Sequence, residues 1–158
     1  MLMNARDLRR SAVARATNSA QHSSRRIEYR EFLEMSGVYD AHGGVASGDR
    51  IATELGRYRD QPIAIVARWI VRREVVNFAW RCDILIPRFQ FSGVDMRIRP
   101  VVSRVIAELQ GVFDDWEIAQ WFTQPNAGLH NERPLDLLAI DAVAVVEAAR
   151  ADRYIACA

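Results

Sequence analysis

The sequence predicts a mainly α-helical protein: a helix-turn-helix-like N-terminal unit with a small β-hairpin, followed by a helical C-terminal unit. Apolar residues recur at helical spacing, capping residues and prolines mark helix starts, and two short alternating runs flank a polar link. With 158 residues, 50% of them hydrophobic, the chain can bury a core. We expect a flexible basic tail over 1–24, a helix-turn-helix-like unit with the hairpin over 25–98 and a helical unit over 99–158.

Charge is distributed unevenly along the chain, although the formal net charge is only +1. Residues 1–30 carry seven arginines against two acidic residues, whereas the residues from 111 onward carry three arginines against eight. This gradient is compatible with two different partners, an anionic polymer and a basic or neutral one, and equally with plain solvation of the surface. The basic start also has the composition of an organelle transit peptide, which is the lesser alternative to a flexible tail.

Composition excludes several enzyme classes and sites. All 21 basic residues are arginine, so the chain has no Walker A phosphate loop, Schiff-base lysine or protein-kinase lysine. Cys82 and Cys157 lack the spacing of a zinc site, and we expect no metal and a reduced chain. No apolar run approaches the ~20 residues that span a bilayer. We therefore expect a cytoplasmic protein without membrane contact.

Two helices are predicted on either side of a glycine-rich link in the first half. Apolar residues at helical spacing predict a short amphipathic helix that closes near Gly37; they are Tyr29, Phe32, Leu33 and Met35. After the link DAHGGVASG, Ser47 is the expected N-cap of a helix that runs to about Gly56.

From Arg50 onward the spacing of small and apolar residues resembles a helix-turn-helix. Ala52 and Gly56 occupy the expected helix-crossing and turn positions, in a turn one residue longer than standard. Pro62 suits the first position of the second helix. The buried face of that helix is predicted to consist of Ile63, Val66, Ala67 and Ile70.

Arginines are expected on the outer side of this second helix: Arg68, Arg72 and Arg73. In a helix-turn-helix they would contact phosphates or guanine edges of operator DNA. The alternative is a solvated face paired with acids such as Glu74.

The following runs VVNFAW and ILIPRFQF predict a hairpin that would serve as a wing, with Pro87 restricting its second strand to a sheet edge or bulge. From this wing Arg81 and Arg88 would touch a DNA backbone, although two exposed arginines are also common on any hairpin.

The last third of the sequence predicts a series of helices with defined starts. Pro100 opens one that ends at Gly111, and Asp114 with Glu117 forms a capping box for WEIAQWF. In that helix Trp116, Ala119 and Phe122 are expected to face inward, with Trp121 off this line. Pro134 and Asp141 start the last two helices. Capping explains the acidic cluster fully, so we expect no catalytic residues; His22, His42 and His130 are expected to have no partners and receive no role.

The order of these features resembles a known family. The segment from Trp80 to Phe91, then Pro100, DDWEIAQWFTQPNAGL, RPLDLL and the final alanine-rich helix are similar to the toxin-binding domain of Xre/MbcA/ParS-type antitoxins. The resemblance covers about residues 48–152. It implies a helix-turn-helix before toxin-binding helices, typically in a homodimer, a RES-domain toxin partner that consumes NAD, and repression of the chain's own promoter. It implies no cofactor and no enzymatic activity.

The toxin-binding residues that the resemblance implies lie in one corner and the final helix: Trp121, Pro125, Asn126, Leu129, Arg133 and Tyr154. For Trp121 a core position is the alternative, because aromatic residues bury large areas in small domains. Glu132 stands where the family usually has a glycine before the Arg-Pro step, so the corner is expected to bend differently. Two other functions stay open: an orphan helix-turn-helix regulator of transcription without a toxin, and an enzyme with an unrecognised site.

Overall fold

A computed structural model describes residues 25–26 and 28–158 of the chain, and the tail expected over 1–24 lies outside the described residues. The chain divides into two compact units, residues 1–34 and Met35–Ala158. In the first unit, residues 25–26 and 28–34 are helical, with an exposed ion pair between Arg30 and Glu34 one turn apart. All the sites described below lie in the second unit.

The second unit is built mainly of helices around one small sheet, which confirms the predicted fold class. It begins with helical residues 35–40 (α1). The other elements are β1 (Val45–Ser47), α2 (Gly48–Leu55), α3 (Pro62–Val71), β2 (Phe78–Trp80), β3 (Asp83–Pro87), a 3-10 turn (Arg88–Gln90), α4 (Pro100–Leu109), α5 (Asp115–Thr123), a second 3-10 turn (Ala127–Leu129), α6 (Pro134–Leu137) and α7 (Ala142–Cys157).

The predicted helix starts are confirmed wherever a local signal defines them. The Ser47 side chain accepts from the Arg50 amide at 3.3 Å and caps α2. Asp114 and Glu117 form the expected reciprocal capping box, with both hydrogen bonds at 2.8 Å. Asp141 accepts from the Ala144 amide at 3.0 Å and caps α7. These caps satisfy amides that the first helical turn leaves unpaired, so a few residues suffice to define each start.

The expected end of the first helix at Gly37 is wrong, because helical backbone continues to residue 40. Tertiary packing overrides the ~1 kcal/mol that a glycine costs inside a helix. Met35 and Tyr39, one turn apart, are both buried. The Tyr39 hydroxyl donates to the Ala119 carbonyl at 2.7 Å, and its ring stacks on Phe89 with centroids 5.6 Å apart. Burial raises the pKa of Tyr39 well above its ordinary value.

The predicted hairpin is present and belongs to a three-stranded antiparallel sheet of order β1-β3-β2. Residues Val45–Ser47, expected to be part of a link, form the additional edge strand. The expectation that Pro87 places its strand at an edge is therefore wrong, since β3 is central. Pro87 is the last residue of β3, opposite Val45, and the next amide, Arg88 N, donates to the Gly44 carbonyl at 2.9 Å. A proline at a strand end interrupts little of the ladder.

The buried face of α3 differs from the predicted one. Val66 and Trp69 are buried, whereas Ala67 is exposed and Ile63 is 74% exposed. Trp69 stacks on Phe91 of the following loop, with ring centroids 5.6 Å apart. Because a tryptophan buries the largest apolar area on this helix, the helix is turned toward Trp69 rather than toward the aliphatic stripe.

The core is continuous from the sheet to the C-terminal helices. One cluster lies between α2, α3 and the sheet, and α4 packs along α7 behind it. Aromatic contacts join the two halves: Phe89 lies 5.0 Å from Phe122, and Phe78 meets Trp116 edge-on at 5.5 Å. The predicted units 25–98 and 99–158 thus both contribute to the unit Met35–Ala158. The boundary at residues 98 and 99 stays a prediction from the sequence.

Candidate functional site

A shared carboxylate organises the corner that carries most of the predicted toxin-binding residues. Oδ2 of Asp152 on α7 accepts from the Trp121 indole Nε1 and from Asn126 Nδ2, both at 2.7 Å. Trp121 is only 9% exposed and packs edge-on against Phe122, so it lies in the core, although it was expected off the inward-facing line of α5. Asp152 therefore ties α5, the corner and α7 together.

The corner itself is a closed loop built on Asn126. The Asn126 carbonyl accepts from the Leu129 and Asn131 amides at 3.0 and 2.9 Å, while its own amide donates to the Glu132 carbonyl at 3.0 Å. His130 and Asn131 adopt left-handed backbone with φ of 56° and 63°. The left-handed positions thus precede Glu132, the residue that departs from the family's usual glycine. Of the predicted contact residues here, Leu129 is buried, whereas Pro125 and Arg133 are exposed.

Large apolar side chains are exposed on the outer face of α7 and at Ile140, two residues before this helix. Ile140 is 79% exposed, Val143 66%, Tyr154 64% and Ile155 74%. Within the helix, Val143, Tyr154 and Ile155 lie on one face, with Glu147 and Ala151 between them, and the opposite side of the helix is buried against α4. We refer to Ile140, Val143, Tyr154 and Ile155 as the α7 stripe. An apolar patch of this kind on a folded domain is typical of a protein-binding surface.

Most acidic residues of the C-terminal third are engaged within the chain. Besides the caps and Asp152, the Asp115 carboxylate accepts from Arg73 Nε at 2.7 Å, and Asp136 lies 2.9 Å from His42 Nε2. His42 thus has a partner, contrary to expectation. Glu147 pairs with Arg150 at 2.8 Å, and Glu108 on α4 holds Arg150 and Arg153 of α7. The acidic side chains of this segment therefore act mainly as helix caps and as partners in contacts between elements of the chain.

The arginines predicted on the outer side of α3 have different environments. Arg68 and Arg72 are exposed, and Arg72 lies 3.8 Å from Glu74, the acid expected to pair with it. Arg73 follows α3 in left-handed backbone, φ 53°, and points toward the start of α5. Besides Asp115, its guanidinium donates to the Gln110 and Phe113 carbonyls at 2.6 and 2.8 Å. Arg73 thus fixes the end of α3 to the α4–α5 junction, which leaves Arg68 and Arg72 as the accessible pair.

A second group of arginines surrounds Glu54 at the opposite face of α2. Glu54 accepts from Arg88 at both carboxylate oxygens, at 2.6 and 3.2 Å, and from Arg50 Nε at 3.1 Å. The hydrogen bond from the Arg88 guanidinium lowers the pKa of the Glu54 carboxyl, and Arg50 acts in the same direction. Arg88, expected on the hairpin wing, instead connects the end of β3 to α2.

The ion pair between Glu54 and Arg88 should make the stability of the protein sensitive to acid. A carboxyl whose pKa is lowered by folding stabilises the protein above its unfolded pKa and loses that contribution as the pH falls. We expect Glu54→Gln to lower the free energy of unfolding by about 1 kcal/mol at neutral pH. The difference from the unsubstituted protein should begin to shrink as the pH falls to about 4.3, the pKa of an unfolded glutamate, and disappear below the lowered pKa of the folded state. Thermal denaturation across this pH range tests it, with Glu147→Gln as the exposed control; a constant difference would contradict the assignment.

The buried side chain of Gln90 connects two backbone segments, a role that was not predicted from the sequence. The side chain accepts from the Val76 amide at 2.7 Å and donates to the Val76 and Pro87 carbonyls at 2.9 and 2.7 Å. It thus extends the sheet where backbone pairing ends. A glutamine between two phenylalanines gives no pattern that distinguishes this role from a turn residue.

The described part of the chain contains no group of three or more His, Cys, Asp or Glu that could hold a metal ion. Within the same residues, no helix is both long and apolar enough to cross a membrane. Cys82 and Cys157 are free and exposed. The candidate sites are accordingly surfaces: the corner with the α7 stripe, the outer side of α3, and the arginines around Glu54.

The helical C-terminal third exposes apolar side chains on the outer face of α7. Residues 108–153 match the family described as the antitoxin Xre/MbcA/ParS C-terminal toxin-binding domain. This match spans the end of α4 through most of α7 and confirms the resemblance for that segment. The matched family consists of antitoxin domains that bind toxins. No curated protein and no solved structure gives a significant match to the chain.

Proposed function

We propose that this protein is the antitoxin of a type II toxin-antitoxin system, that it acts in the cytoplasm, and that it binds a RES-domain toxin and occludes its NAD site. The observation that carries the proposal is the α7 stripe, which lies within and directly after the segment that matches a toxin-binding family. Such a protein works by stoichiometric binding and requires no cofactor and no catalytic residues of its own.

The proposed toxin-binding surface combines the α7 stripe with the exposed part of the corner. Tyr154 keeps its predicted role, since it is exposed and lies beside Arg153, whose guanidinium is 5.0 Å from the ring centroid. Pro125 and Arg133 are exposed at the corner and complete the surface. Trp121, Asn126 and Leu129 would then support it from within, through the Asp152 hydrogen bonds and burial. Apolar and aromatic anchors with a polar rim are typical of tight interfaces.

Operator binding is the second part of the proposal and would make the protein a repressor of its own promoter. It is supported by the order α2, turn, α3 and by the exposed Arg68 and Arg72 on the second of these helices. An open cleft of about 290 Å³ beside α3 is lined partly by Ile63, Ile70 and Ile84, which supports a homodimer through this face. An orphan regulator of transcription without a toxin would use the same N-terminal half.

Co-expression tests the antitoxin proposal directly. We expect the full chain to restore growth and the cellular NAD level when a RES-domain toxin encoded beside it is expressed, and to co-purify with that toxin at a fixed ratio. The control is a toxin of the same fold encoded elsewhere, which should not be bound. If the neighbouring gene encodes no such toxin, or no complex survives gel filtration, the orphan regulator becomes the better proposal.

A further inference from the structure

Beside α2 lies an open cleft of about 570 Å³ that the proposed functions do not use. Arginines dominate its lining: Arg50, Arg57 and Arg88 stand against the single carboxylate of Glu54. Tyr58, half exposed, and the hydroxyl residues Thr53 and Ser92 complete its polar wall, while Phe91 and Met96 line the rest. The cleft is on the other side of α2 from the apolar cleft beside α3, because the two are lined by different faces of that helix.

The carboxylate of Glu54 orients the guanidinium groups of Arg50 and Arg88; Nη1 of Arg88 also donates to the Gly43 and Val45 carbonyls, each at 3.5 Å, so Arg50 is the one of the two that keeps unused donors. The carboxylate occupies Nε of Arg50 and both Nε and Nη2 of Arg88. The terminal nitrogens of Arg50 take part in no hydrogen bond among the described residues, and its side chain is 70% exposed. A guanidinium held at one edge presents its remaining N–H groups in a fixed direction, which suits the oxygens of a phosphate group.

Arg57 adds an uncompensated positive charge to the same cleft. In the part of the chain that the structure describes, Arg57 forms no ion pair; the Asp95 carboxylate, which is hydrogen-bonded to Ser92 of the cleft wall, is paired with Arg97 at 2.6 Å. Three arginines against one carboxylate leave the cleft positively charged at neutral pH. The exposed side of α3 has fewer charged residues than this cleft. It carries Arg68 and Arg72, and its other exposed residues are apolar: Ile63, Ala64, Ala67 and Val71.

We propose that Arg50 and Arg57 in this cleft bind phosphate groups of a nucleic-acid backbone, while Arg88 holds Glu54 in place, so that this face of α2, as well as α3, contacts the duplex. This inference rests on the proposed operator binding. An open cleft accepts a passing polymer more readily than it encloses a small ligand. Phosphate contacts of this kind fix the position of a protein on DNA without reading its sequence.

Salt dependence of duplex binding tests the cleft. Affinity of the full chain for a 30-base-pair duplex is measured from 50 to 200 mM salt, and each lost phosphate contact should reduce the slope of log K against log salt by about 0.9. We expect Arg57→Ala to reduce it by about one such step and Arg50→Ala with Arg57→Ala by about two. Arg104→Ala, which removes an exposed arginine from α4, should leave it unchanged. Arg88 is left intact because it connects β3 to α2.

The outcomes separate this inference from operator binding itself. If the duplex binds and only Arg68→Ala with Arg72→Ala reduces the slope, the cleft is not a DNA site and operator binding through α3 stands. In a second outcome, inorganic phosphate raises the melting temperature of the unsubstituted chain but not of Arg57→Ala, and duplex binding is the same for both. The cleft then binds a small anion and the inference is overturned. If the unsubstituted chain binds no duplex even at 50 mM salt, both proposals fail. Unchanged melting temperatures of the variants verify that they are folded.

Discussion

Replacement of Asp152 by alanine is expected to lower the free energy of unfolding by about 3 kcal/mol. The carboxylate accepts from both Trp121 Nε1 and Asn126 Nδ2, and Trp121 is buried. Its loss leaves two donors without an acceptor, and each unpaired buried group costs about 1–3 kcal/mol. Chemical denaturation with tryptophan fluorescence measures the change, since the probe lies at the site itself.

Two variants distinguish this role from a general effect of charge on α7. Asp152→Asn keeps one acceptor oxygen and loses charge assistance only, so we expect roughly half of the destabilisation. Glu147→Ala removes an exposed carboxylate from the same helix and should change stability by less than about 0.5 kcal/mol. Equal effects of Asp152→Ala and Glu147→Ala would show that the bonds to Trp121 and Asn126 do not stabilise the corner.

Charged substitutions in the α7 stripe should weaken toxin binding without unfolding the protein. For Val143→Asp combined with Ile155→Asp we expect at least about a 100-fold loss of affinity, or about 2.7 kcal/mol. Both side chains are exposed in the free chain, so the substitution costs little there, whereas an interface would have to bury two unpaired carboxylates. Calorimetric titration of the purified toxin measures the affinity.

The matched control for this experiment is Ile63→Asp. Ile63 is 74% exposed, as apolar as the stripe residues, and lies on α3 rather than on α7. It should leave toxin affinity unchanged and act, if anywhere, on dimerisation. A stripe variant that binds the toxin normally but no longer forms a homodimer would reassign the α7 stripe to self-association.

Elements with local signals could be predicted from the sequence, and elements that depend on distant partners could not. Asp114, Glu117 and Asp141 act on amides within their own first turn, so a short stretch of sequence contains the whole interaction. By contrast, β1 has only three residues and is stabilised by pairing with β3, about forty positions away. Nothing local distinguishes such a segment from a link.

The rotation of α3 illustrates a second limit. Ile63, Val66, Ala67 and Ile70 form as regular an apolar stripe as the one that is buried. Which face turns inward depends on Phe91, which receives Trp69 and follows α3 by about twenty residues. Periodicity fixes that a helix has an apolar face, while aromatic partners elsewhere in the chain decide between two overlapping faces.

The sequence predicted the region of the candidate site, but only some of the individual residues that are exposed there. The corner and α7 were identified from the order of Trp121, Pro125, Asn126 and Pro134, and the family match covers them. Which of these residues reach solvent depends on the Asp152 hydrogen bonds, which connect positions about thirty apart. Of the α7 stripe, Tyr154 was predicted as a contact residue, whereas Ile140, Val143 and Ile155 were not identified, because an amphipathic helix with alanine on its buried side does not show which face is outside.

The guanidinium of Arg73 has a consequence for genetic dissection. It donates to Asp115 and to the carbonyls of Gln110 and Phe113, all of which lie beyond residue 99. A fragment that starts at residue 99 would lose these bonds, together with the Tyr39 bond to Ala119 and the ring contact between Phe89 and Phe122. Freshly exposed apolar surface would then make the fragment aggregate. The proposed recognition of a toxin and the proposed recognition of an operator can therefore be tested separately by point substitutions, but not by truncation at residue 99.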